Sequence, residues 1–126
     1  MLYETGVYRA KSDYRVPDLV FFPADRTEII GELGLVGAPL AVLEIRSPGD
    51  ETGDKLDFWA ALGVPEVLVI EPETRKVEVY RLAGPRYLAT SAGEQGRIHA
   101  ATIDVRLSTT EGPRLRVELA GETCEI

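Results

Sequence analysis

The chain has no Asn and only one each of Gln, Met, Cys and His among its 126 residues. A single cysteine, Cys124, excludes an internal disulfide and a cysteine-based zinc cluster. A single histidine, His99, excludes a His-rich metal centre. No apolar run approaches the ~18 residues of a membrane-spanning helix. The segment Met1-Leu2-Tyr3-Glu4-Thr5-Gly6 lacks the basic and apolar regions of a signal peptide. Together these absences predict a cytoplasmic protein with no membrane partner. Asn, Gln, Met and Cys are the thermolabile residue types. Their scarcity fits a heat-adapted source and fits codon bias in a GC-rich genome equally well. Positive charge is also short, with 14 Lys and Arg against 21 Asp and Glu and a net charge of −7. That balance opposes broad, non-specific nucleic-acid binding. It leaves room for a small local site where metal ions neutralise carboxylates. No phosphate-cradling loop or dinucleotide fingerprint is present.

The composition, 44% hydrophobic and 28% charged, is that of a soluble globular protein, and the length suits one domain, 1–126. Tyr3 to Ala10 carries a weak strand signal. Tyr14 to Phe22 is rich in β-formers and predicts a strand, with Pro17 near its start. Pro23 to Pro39 reads as a connection with a helical turn around Glu28 to Leu33. Leu40 to Ile45 is an almost continuous apolar run, the pattern of a strand buried on both faces. Ser47-Pro48-Gly49-Asp50 breaks it. A helix is predicted from Glu51 to Leu62, capped by Asp50 or Thr52 and closed by Gly63. Glu66 to Ile70 and Lys76 to Leu82 read as a hairpin around Glu71-Pro72-Glu73-Thr74. Tyr87 to Thr90, Ile103 to Leu107 and Leu115 to Leu119 complete a β-rich tail. The order predicts a mixed α/β (α+β) domain with one principal helix.

Two acids stand out in this pattern. Asp18 heads the strand after Pro17, and Glu44, 26 positions on, interrupts the run Leu-Ala-Val-Leu-Glu-Ile. A carboxylate buried in such a run is costly unless it is paired or holds a cation. Glu44 therefore reads as a metal ligand, as a salt-bridged residue or as an exposed strand end. Arg46 shares its face by the strand period, either as an ion-pair partner of Glu44 or as a phosphate contact. Lys55 shares a helical face with Phe58, Trp59 and Leu62. It either snorkels to water or aims its ammonium at the carboxylates to orient or activate water. Asp50, Glu51 and Asp54 answer the helix dipole. His99 reads as a solvated or capping residue, and Ser47 has no neighbouring histidine to make it a nucleophile.

The series Pro17-Asp18-Leu19-Val20, Leu43-Glu44-Ile45-Arg46-Ser47-Pro48, Asp54-Lys55-Leu56 through Trp59, Leu62-Gly63-Val64-Pro65-Glu66-Val67 and Val77-Glu78-Val79-Tyr80-Arg81-Leu82 resembles the Uma-type endonuclease family. That bacterial family belongs to the PD-(D/E)XK, restriction-endonuclease-like superfamily. The resemblance covers residues 14 to 107 and is tightest from Leu43 to Leu82. It implies a restriction-endonuclease-like mixed sheet and metal-dependent hydrolysis of DNA phosphodiester bonds. On the same resemblance, Asp18, Glu44 and the Ile45 carbonyl would hold Mg²⁺ or Mn²⁺, and Lys55 would serve as the catalytic lysine. Arg46 stands where the superfamily lysine usually lies, and Trp59 stands at the family's tyrosine position. Only 16 residues precede Pro17, too few for the helix that relatives carry before this strand. The expectation is therefore a homo-oligomer, most simply a dimer, whose partner covers an open sheet face. The alternative is a catalytically inactive nuclease-fold interaction or regulatory module.

Overall fold

A computed structural model describes residues 2–3, 5–10, 13–23, 25, 30–31, 34–46, 52–93 and 96–125. The predicted turn at Glu28 to Leu33 and the strand break and cap at Ser47 to Glu51 fall largely outside them. Among the described residues the main sheet has six strands. In their order across it these are β1 (Leu2–Tyr3), β4 (Leu19–Phe21), β6 (Ala41–Ile45), β7 (Glu66–Ile70), β8 (Val77–Ala83) and β9 (Arg86–Ala89). Only β6 and β7 within it run parallel, because α1 (Thr52–Leu62) returns the chain between them. A small sheet pairs β2 (Val7–Ala10) with β3 (Asp13–Arg15) and β5 (Leu35–Val36). The C-terminal sheet runs β10 (Ile98–Ala100), β11 (Val105–Thr110), β12 (Arg114–Leu119) and β13 (Glu122–Glu125), all antiparallel.

Period-two alternation divides the main sheet between two cores. Val20, Val42, Val67 and Val69 face α1 and pack on Phe58 and Trp59, and the small sheet joins them through Val7 and Leu35. Ala41, Leu43, Leu68, Ile70, Val77 and Val79 face the other way and meet Ala100, Leu107 and Leu115 of the C-terminal sheet. The mixed α+β architecture and principal helix thus match the expectation from sequence. The sheet face expected to be open is covered by β10–β13, so an open face no longer argues for a partner subunit. The cover is loose. An apolar cavity of about 530 Å³ lies between the two sheets, lined by Leu19, Phe21, Leu43, Leu68 and Leu115 among others.

Several boundaries differ from the expected ones. The predicted strand Tyr14 to Phe22 divides into β3 and β4, because Pro17 has no N–H for a ladder. Ile103 lies in a turn before β11, whose last residue, Asp104, has φ of 50°. The helix stops as predicted at Gly63, whose φ of 87° favours glycine. Gly63 N donates to Ala60 O and Val64 N to Trp59 O, at 3.0 Å each, the paired bonds of a Schellman end.

Candidate functional site

Strand order brings Asp18 to the end of β6, the strand that carries Glu44. β4 and β6 are antiparallel neighbours with Leu19 opposite Leu43. Asp18 lies one residue before β4, beside the end of β6 that carries Glu44. Asp18 N donates to Leu43 O at 3.1 Å, and Asp18 Oδ2 accepts the Ile45 N–H at 2.7 Å. The carboxylate thus replaces a ladder bond where Pro17 begins the strand, which fixes it beside the end of β6.

Glu44 lies on the α1 side of β6, with 5% of its side chain exposed. Lys55, one turn into α1, donates from Nζ to Glu44 Oε2 at 3.2 Å. The lysine therefore aims its ammonium at the strand acid and does not simply carry it to water. Phe58 and Trp59 follow on the same helical face and are buried, and Leu62 packs at the edge of their core. Phe58 in turn lies under two guanidiniums, with Arg9 Cζ 5.3 Å and Arg15 Cζ 5.0 Å from its ring centre. That cation–π stack brings two positive charges to the start of the Asp18 strand.

Across β7 the register continues from Glu44 through Val69 to Glu78. Arg46 Nη2 lies 3.4 Å from Glu78 Oε2. Its ion-pair partner is thus Glu78, where the sequence offered Glu44. The Tyr80 hydroxyl donates to the same Glu78 oxygen. Burial, then the hydrogen bond and charge of Glu78, raise the Tyr80 pKa above its ordinary value, while Arg46 opposes them. Arg46 also helps to hold the Glu71 carboxyl below its usual range, although the Thr74 N–H contributes most.

Sequence reasoning missed Glu78 and Tyr80 as neighbours of this centre. Their alternation with Val77 and Val79 shows only that they share a face. Strand order is what sets that face beside Glu44. Among the described residues no three His, Cys, Asp or Glu side chains cluster as ion ligands. The Asp18 and Glu44 carboxylates and the adjacent backbone carbonyls are hard oxygen donors, the type that could hold a divalent cation. Among the described residues no helix is long and apolar enough to cross a membrane.

Comparison with curated proteins gave no match. A family model described as "Putative restriction endonuclease", Uma2, matches residues 1–117. Its span takes in β1 to β11 and most of β12, and therefore Asp18, Glu44, Lys55 and most of the covering C-terminal sheet together. The chain belongs to the Uma2 family of restriction-endonuclease-like proteins.

Proposed function

We propose that the chain is a metal-dependent endonuclease that hydrolyses DNA phosphodiester bonds at the Asp18–Glu44–Lys55 centre. The carrying observation is the buried Glu44 carboxylate, bonded to Lys55 at 3.2 Å, on a strand whose next residue, Ile45, donates its N–H to Asp18. Burying an acid on a strand otherwise filled with aliphatic side chains is unfavourable for the fold. A hydrophobic residue of similar size would pack there at lower cost. Its presence is accounted for if the site handles a cation or a proton.

Asp18, Glu44 and the Ile45 carbonyl would hold Mg²⁺ or Mn²⁺. Such an ion, when bound, lowers the pKa of water and offsets charge on phosphate oxygens. The chain's own residues supply position. The Ile45 N–H fixes one oxygen of Asp18. The core under Phe58 and Trp59 fixes the helix that carries Lys55. The Lys55 ammonium borders whatever Glu44 holds and supplies donors to orient an attacking water. Arg46, steadied by Glu78, is the nearby guanidinium for a phosphate oxygen. A homo-oligomer, most simply a dimer, would supply two such centres for the two strands of a duplex.

The test is cleavage of plasmid and single-stranded DNA with Mg²⁺ or Mn²⁺, with Glu44→Ala and Lys55→Ala alongside. Loss of cleavage in both folded variants is expected. Cleavage that survives both substitutions refutes the assignment. A wild-type protein that binds DNA but never cuts it favours the non-catalytic module, a reading supported by Arg46 at the position of the superfamily lysine and by the net charge of −7.

A further inference from the structure

We propose that a second site, on the opposite face of the main sheet from Glu44, binds a phosphate group. It is a hollow of about 350 Å³ between the β8–β9 hairpin and the C-terminal sheet, lined chiefly by Arg81, Thr90, Ser91, Arg97, His99 and Arg106. Three of the chain's eleven arginines meet at one hollow in a protein of net charge −7. Among the described residues no carboxylate lines it.

Acids hold these cations without filling the space. Arg81 Nη2 lies 3.3 Å from Glu66 Oε2, and Arg97 Nε lies 3.3 Å from Glu118 Oε2. His99 Nε2 is 2.8 Å and Arg106 Nη1 is 3.8 Å from Asp104 Oδ1. Glu66 is itself fully buried and accepts the Ala101 and Thr102 N–H groups, so its grip on Arg81 is fixed. A guanidinium carries five N–H donors, and the Glu66 contact engages one nitrogen of Arg81. Arg81 and Arg106 remain half exposed. The arrangement is a set of positioned donors around a solvent-reachable space.

The chemistry favours phosphate over carboxylate. One guanidinium satisfies a planar carboxylate by a two-point contact, whereas several guanidiniums and hydroxyls around one hollow suit a tetrahedral group that presents oxygens in more than one plane. The volume exceeds that of phosphate alone and leaves room for an attached group. The ligand is thus a phosphate ester, either a free monoester or one phosphate of a nucleic-acid strand. The proposal does not depend on the acid centre, which lies on the other face of the sheet.

The test follows arginine Nε–H resonances of the full chain by NMR without added metal. Deoxyadenosine 5′-monophosphate and a short oligothymidylate are the two probes. Shifts at Arg81, Arg97 and Arg106 are expected with at least one of them. Binding of the monophosphate at least as tightly as the oligonucleotide assigns a free ester. Tighter, strongly salt-dependent binding of the oligonucleotide assigns a strand. Arg106→Gln should weaken the bound probe about ten-fold, the scale of one charge-assisted hydrogen bond. Arg106 is the safer variant, because its 3.8 Å contact with Asp104 is the loosest of the set. Arg81→Gln should act similarly, and the exposed Arg114→Gln should change nothing. Absence of shifts with both probes at millimolar concentration overturns the proposal. So does wild-type affinity in both Arg106→Gln and Arg81→Gln.

Discussion

Glu66→Gln should weaken the tie between the C-terminal sheet and the main sheet without removing a single buried atom's worth of volume. Glu66 is fully buried at the start of β7. Its Oε1 accepts Thr102 N at 3.1 Å and Thr102 Oγ1 at 2.5 Å. Its Oε2 accepts Ala101 N at 3.1 Å and Arg81 Nη2 at 3.3 Å. These bonds tie β7 and β8 to the turn between β10 and β11. An amide keeps one acceptor oxygen and turns a donor toward two donors, whichever way it is flipped. Thr102 Oγ1 can rotate to accept from it, so the smallest loss is one backbone N–H bond and the charge assistance to the rest. A hydrogen bond to a charged group contributes about 1.5–3 kcal/mol. The half-exposed Arg81 pair adds at most ~1 kcal/mol because water screens it. The expected cost is therefore about 2–4 kcal/mol. For a domain of this length ~1 kcal/mol moves Tm by about 3–5 °C, so Tm should fall by roughly 10 °C. Urea denaturation at pH 7 measures the free energy, and amide exchange at Ala101 and Thr102 localises it. A change below about 0.5 kcal/mol, or unaltered protection at those two amides, would refute the account of Glu66 as the bond between the sheets.

Three further outcomes follow from the same geometry. Lys55→Ala and Glu44→Ala should each lower metal-dependent DNA cleavage by ~10²-fold or more, the scale of a positioned acid–base group, while circular dichroism shows the fold retained. Trp59→Ala should cost about 3–5 kcal/mol by denaturant titration, because the indole is fully buried between α1 and the sheet. Tyr87 donates its hydroxyl to Val64 O at 2.6 Å, and burial raises its pKa well above the ordinary value. Its neutral form is the folded one, so its contribution is complete below about pH 10, the usual tyrosine pKa, and is lost as pH rises beyond it. Tyr87→Phe should cost ~1 kcal/mol at neutral pH and flatten the alkaline decline in stability, read by denaturation at stepped pH.

The strands that sequence reasoning located best are those whose pattern is local. Glu66–Ile70 matches the prediction at both ends, since Val64-Pro65 and Glu71-Pro72 punctuate an unbroken apolar run. The helix end was legible for the same reason, because only glycine suits the turn at Gly63. Ile98–Ala100 and Glu122–Glu125 were missed. The first is short, and the second is polar and exposed along its length. What defines both is pairing with distant strands, which periodicity does not encode. At the candidate site, the Lys55–Glu44 contact was anticipated from a lysine on an apolar helix face. The partnership of Arg46 with Glu78 was not. It spans 32 positions and depends on β8 lying next to β7. Glu66 was read as one more strand residue, although a carboxylate heading a fully apolar run is the same signal that singled out Glu44.

The parallel pairing of β6 with β7 has a consequence for how the acid centre is assembled. Glu44 and Lys55 are 11 positions apart within one strand–helix–strand unit, so their contact closes a short loop. The Asp18 carboxylate reaches Ile45 across 27 positions, through a strand whose own neighbour is β1. The lysine–glutamate half of the centre therefore belongs to one strand–helix–strand unit, and the Asp18 half depends on β4 lying beside β6. A substitution that frees β4 from β6 would thus remove the Asp18 bond to Ile45 and leave the Glu44–Lys55 contact within its own unit.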